Sequence, residues 1–81
     1  MTNTTLLQIL VLNSIRKEQT YPYQIFKRVQ NKGIEIKLHS IYNCLKALEK
    51  KGYVKRCENI YSITDQGIDS IKKIMNILKN D

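Results

Sequence analysis

One proline and three glycines punctuate this 81-residue chain, and their positions constrain its folding more than any other feature. Proline is tolerated at the start of a helix but not inside one, and glycine readily takes the left-handed conformation that ends one. Pro22, Gly33, Gly52 and Gly67 therefore read as boundaries, with the folded elements between them. No repeat, low-complexity tract or linker interrupts the pattern, so residues 1–81 make one domain. A chain this short buries only about 60–65% of the surface its unfolded form exposes, so its stability needs help from outside its own core.

Between these boundaries the hydrophobic period changes several times. Thr5 followed by Gln8 can form a capping box, and an apolar helix then runs to about Lys17. Tyr21-Pro22 opens a second helix with an apolar stripe of Ile25, Phe26 and Val29, which Gly33 ends. The alternation Ile34-Glu35-Ile36-Lys37 reads as a short strand or extended link. A helix over residues 39–51 follows, with Ile41, Cys44, Leu45 and Leu48 on one face and His39, Asn43, Lys46 and Lys50 on the other. Gly52 sits at its C-cap, just after Lys50 and Lys51 favour the negative end of the dipole. Tyr53 to Cys57 and Ile60 to Thr64 form a hairpin through Glu58-Asn59, with Asn59 the residue that tolerates positive φ. Thr64 or Asp65 then caps a last helix, about residues 65–80. The result is a mainly α, α+β chain in the order α-α-β-α-β-β-α, that of a winged helix-turn-helix.

The formal charge is +7, but its distribution is more informative than its sum. Residues 16–56 hold eight lysines and three arginines against Glu18, Glu35 and Glu49, a net +8, whereas residues 57–81 carry a net −1. Excess positive charge confined to the middle of the chain is the footprint of a nucleic-acid-binding segment. Enzymatic readings fail for want of parts. His39-Ser40 and Cys44 lack a base and an orienting group, and there is no phosphate loop, acidic pair or metal cluster, so neither metal nor cofactor is expected. Cys44 and Cys57 are too few for a disulfide framework and lack ligand spacing. The apolar run from Leu6 to Leu12 has no signal-peptide flanks and is too short to span a bilayer. A cytoplasmic protein is expected, in a prokaryote or in a host cell if the chain is viral or plasmid-borne. Its richness in Ile, Lys and Asn points to an AT-rich genome.

Over roughly residues 6–70 the sequence resembles the PadR-like transcriptional regulators, within the MarR-like winged-helix group. The resemblance is carried by Tyr23 with Ile25, by Ile41-Tyr42 with Leu45, by Leu48-Glu49-Lys50-Lys51-Gly52-Tyr53-Val54, and by Tyr61-Ser62-Ile63-Thr64-Asp65 with Gly67. Pro22 stands where the family commonly has glycine, and Cys57-Glu58-Asn59 replaces its basic wing tip. The helix 39–51 is then a recognition helix. His39, Ser40, Asn43 and Lys46 are expected at base edges or in the groove, since asparagine can bond adenine bidentately and lysine can bond guanine or phosphate. Lys50, Lys51, Lys37, Lys27, Arg28, Lys55 and Arg56 are phosphate candidates. Tyr21, Tyr23, Tyr42, Tyr53 and Tyr61 are read as packing residues rather than stacking platforms.

The terminal helices point to a second copy of the chain. Leu6, Leu7, Ile9, Leu10, Val11, Leu12 and Ile15 surround almost the whole first helix, and a helix apolar all round must be buried all round. Ile68, Ile71, Ile74, Met75, Ile77 and Leu78 give the last helix a similarly wide stripe. A homodimer interface containing Leu6, Leu7, Leu10, Ile71, Ile74, Met75 and Leu78 is therefore expected, and it agrees with dimerisation of the relatives through their terminal helices. The expected function is a sequence-specific double-stranded DNA-binding regulator, a homodimeric repressor on a pseudo-palindromic operator, with no membrane attachment and little room for an effector pocket. Two other classes remain open: an architectural or replication-associated duplex binder of low specificity, and a winged-helix module that meets an acidic protein.

Overall fold

The computed structural model describes residues 6–79, with side chains through residue 76. Its elements are α1 (Leu6–Lys17), α2 (Pro22–Gln30), α3 (Leu38–Lys51), β1 (Val54–Cys57), β2 (Ile60–Ile63) and α4 (Asp65–Lys79). Every expected helix is present within a residue or two of its expected bounds, and the winged helix-turn-helix forms. The Thr5 cap lies outside the described residues.

Pro22 is the first residue of α2, where its missing N–H costs nothing and its fixed φ suits the helix. α2 ends at Gln30, earlier than Gly33, which instead closes the following turn at φ 85° with its N–H donating to the Gln30 carbonyl. Residues 34–37 form the extended link, not the strand. Their backbone has no partner strand, because the hairpin's further pairing is made from elsewhere. Thr20, between α1 and α2, exchanges two backbone hydrogen bonds with Tyr61 at 3.1 and 2.8 Å. Ile34 and Ile36 still pack half-buried against the core.

The core is a single cluster drawn from every element. Val11, Leu12 and Ile15 of α1 meet Ile25 and Val29 of α2, Ile41, Cys44, Leu45 and Leu48 of α3, Val54 and Tyr61 of the hairpin, and Ile71 of α4. Burying each large aliphatic side chain contributes about 1.5–3 kcal/mol. Because these residues fall at helical spacing, their burial sets the rotation of each helix, and it leaves His39, Asn43, Lys46 and Lys50 outside.

The antiparallel hairpin pairs Val54 with Ile63 and Cys57 with Ile60. Its two-residue turn takes positive φ at Glu58 (φ 58°), whereas the sequence favoured Asn59 for that role. The first position of a tight primed turn needs positive φ, and Glu58 occupies that position.

α3 ends in a Schellman closure. Gly52 adopts φ 82°, its N–H donates to Glu49 O at 3.0 Å, and the Tyr53 N–H donates to Leu48 O at 2.9 Å. The start of α4 is built onto this turn. The Thr64 hydroxyl donates to Gly52 O at 2.6 Å and accepts from the Gly67 N–H at 3.2 Å, which makes Thr64 the cap expected of it. Gly67 lies inside the first turn of α4 rather than at a boundary, buried against the Tyr53 carbonyl. A Cβ there would collide with Tyr53 O and lie 2.7 Å from Ile63 Cγ1.

Gly67→Ala is accordingly expected to destabilise the fold by about 1–3 kcal/mol through overpacking, although alanine is the better helix former by about 1 kcal/mol. Urea unfolding measures this. Wild-type or greater stability would contradict the close approach of α4 to Tyr53.

Candidate nucleic-acid interface

α3 buries one face and offers the other. His39, Asn43, Lys46 and Lys50 are all exposed and form one stripe, since residues three, four and seven apart stack along a helix. At the head of the stripe the Asn43 Nδ2 donates to His39 Nε2 at 3.1 Å. Ser40 lies to the side, half-buried in a cleft of about 260 Å3 lined with Leu7, Gln8, Asn43, Cys44 and Ala47, so it borders α1 as much as the open surface. Cys44 is the floor of this region. Burial pushes its thiol up to about 11, against a smaller lowering by the nearby Lys51 charge, so the group remains a neutral packing element.

Two of the expected phosphate cations have other obligations. Arg28 reaches back to α1, where its Nη1 donates to Ser14 O at 3.1 Å and to Glu18 O at 3.3 Å, and its Nη2 lies 3.5 Å from Glu18 Oε2. It ties α2 to the end of α1 and neutralises carbonyls there, so it is not a free surface cation. Lys51 is half-buried, donates to Gln8 Oε1 at 3.1 Å and lies 6.0 Å from the Tyr53 ring centroid. Lys27, Lys37, Lys46, Lys50, Lys55 and Arg56 are exposed. Lys55 and Arg56 leave the hairpin on opposite faces, as neighbours on a strand must, so one flat surface cannot engage both alike.

Sequence reasoning missed part of this surface. Tyr21, Tyr23 and Tyr42 are 44, 51 and 40% exposed, contrary to the packing role expected of them, while Tyr61 is buried and Tyr53 half-buried. The signal was present for Tyr23: counting helically from Pro22, Ile25 and Val29 places it outside the core stripe. The N-caps of α2 and α3, Tyr21 and Lys37, make no side-chain hydrogen bond into their helices. The positive ends of both helix dipoles are thus left without a side-chain cap, an arrangement suited to an anionic partner.

The expected dimer residues divide in the same way. Leu6 is 71% exposed, and Leu7, Leu10, Ile74 and Met75 are half-buried. Ile71 is 1% exposed and belongs to the chain's own core, so it has no surface left for a partner. Leu78 lies outside the residues whose side chains are described. No described helix is long and apolar enough to cross a membrane, and no group of acidic, histidine or cysteine side chains among the described residues could hold a metal.

Residues 11–73 match the transcriptional regulator PadR-like family. None of the curated proteins is significantly similar in sequence. Among solved structures, RosR from H. salinarum superposes with a TM-score of 0.84 at 25% identity, over 91% of this chain and 73% of that one. A PadR family transcription regulator from hypervirulent Clostridium difficile gives a TM-score of 0.78 at 25% identity, over 94% of this chain and 93% of its own. A transcriptional regulator from Clostridium thermocellum gives 0.77 at 27% identity, over 90 and 80%. With the family match spanning most of the sequence and a winged helix whose α3 presents an exposed, cation-bordered face, the chain belongs to the PadR-like family of DNA-binding transcription regulators.

Proposed function

We propose that the protein is a homodimeric repressor that reads a pseudo-palindromic operator through α3. The observation that carries this reading is the exposed stripe His39, Asn43, Lys46 and Lys50, which has no role in the core and runs from the uncapped N-terminus of α3. Asn43 has the amide needed to bond a base edge, and Lys46 follows it on the same stripe. Lys27, Lys37 and Lys50 are the cations best placed to position the helix on phosphates, with Lys55 or Arg56 adding a contact from the wing. Residues 1–81 act as one DNA-binding unit in the cytoplasm.

The second half of the proposal concerns the apolar surface of α1 and α4, which pack against each other. Leu6, Leu7, Leu10, Ile74 and Met75 leave an apolar patch that a second copy would cover, supplying stability that one short chain lacks. A two-fold axis through this surface would place two copies of α3 in successive major grooves about 34 Å apart. Occupancy would block polymerase, and regulation would follow protein concentration.

The test is a titration into duplex taken from upstream of the protein's own gene and into a scrambled duplex, across a salt series. Preference for the upstream duplex by about a thousandfold or more is expected of a specific regulator. Equal affinities with a steep salt dependence would replace this reading with that of a low-specificity architectural binder. Asn43→Ala is expected to cost about 1–3 kcal/mol at one base position and relax specificity there, whereas Lys50→Ala should weaken all duplexes alike. Unchanged binding in both would show that another face is used. Leu6→Glu, at an exposed position that the monomer fold does not need, should shift sedimentation from dimer to monomer. A wild-type protein that sediments as a monomer at about 50 μM, well above the affinity of specific interfaces, would refute the dimer.

A further inference from the structure

We propose that His39 is a positioning residue for Asn43: it sets which way round the Asn43 amide faces a base pair, and protonation of its imidazole reverses that order. The inference rests on the reading of Asn43 as a base-contacting residue and adds a specificity determinant to it. The two side chains lie one turn apart at the head of the exposed stripe, with Asn43 Nδ2 3.1 Å from His39 Nε2. An amide nitrogen only donates, so in this contact Nε2 is the acceptor. One Nδ2 hydrogen is thus engaged. The other Nδ2 hydrogen and Oδ1 are then the groups left to bond a base edge, a donor and an acceptor in a fixed order. Bidentate adenine recognition needs both groups in one order, because N6 donates and N7 accepts.

A proton taken from solvent onto Nε2 turns that atom into a donor. It then faces another donor, and the amide relieves the conflict by rotating half a turn so that Oδ1 accepts from Nε2. The groups left to bond a base edge are still one donor and one acceptor, but in reverse order, which favours a different base pair or register. Histidine is the side chain type that changes charge between pH 5 and 8, and His39 is the chain's single histidine. The surrounding groups leave the switch to it. α1 contributes Leu7 and Gln8 beside Asn43, and Cys44 below has its thiol pushed up to about 11. The charged residues on the same stretch are Glu35, Lys37 and Lys46.

The experiment uses the full chain and duplexes carrying each of the four base pairs at the position where Asn43→Ala relaxes discrimination, at about pH 8 and about pH 5.5, either side of the histidine range. Ratios between duplexes cancel any uniform effect of pH on affinity. The wild-type ratio is expected to shift by roughly tenfold between the two conditions, or about 1.4 kcal/mol. His39→Ala should give an intermediate ratio that pH does not move, and His39→Gln, which offers both an acceptor and a donor without titrating, should likewise give one ratio at both pH values. If Asn43→Ala relaxes one position but the wild-type ratio is the same at both pH values, the role of His39 is refuted while that of Asn43 stands. If Asn43→Ala changes no preference at any position, the base-contacting role fails and takes this inference with it.

Discussion

The turn that follows α3 carries the geometric burden of this fold. Gly52 in its left-handed conformation exposes a carbonyl to the Thr64 hydroxyl, and the same hydroxyl caps α4 by accepting from Gly67. The Thr64 N–H closes the base of the hairpin on Tyr53 O at 3.0 Å. Three elements are therefore fixed at one place: the end of α3, the root of the wing and the start of α4. Gly67 completes the arrangement by letting α4 lie directly over the Tyr53 carbonyl. The direction in which α4 leaves the winged helix follows from a few short contacts around Gly52 and Thr64.

A second layer of constraint divides the basic residues by task. Arg28 holds α2 to the last turn of α1, and Lys51 is held between Gln8 and the ring of Tyr53. Both cations act on the scaffold, and both connect α1 to the helix-turn-helix. Lys27, Lys37, Lys46 and Lys50 stay on the surface. A strong positive field alone would suit any polyanion, whereas sequence discrimination needs groups of fixed orientation. On the exposed stripe, Asn43 is hydrogen-bonded to His39 at 3.1 Å.

Local chemistry was legible in the sequence where one residue decided the outcome. Pro22 opened α2, Gly52 closed α3 and Thr64 capped α4. Outcomes set by distant partners were not legible. The Ile34–Lys37 alternation looked like a strand, but a strand needs a partner, and the pairing went to Thr20. Arg28 and Lys51 looked like surface cations because a long side chain's direction depends on what lies across the interface. Ile71 and its neighbours on α4 formed one wide apolar stripe, and only packing showed which of them the core had claimed. The exposed tyrosines erred in the other direction: aromatic character suggested burial where helical position did not.

The central claim is that two recognition helices related by a two-fold axis read one duplex, and hydroxyl-radical footprinting on the upstream DNA addresses it most directly. The account requires two protected patches on one face of the duplex, centred about 10–10.5 base pairs apart or a multiple of that, with symmetry-related sequences beneath them. A single patch, or even protection along the whole fragment, would contradict it.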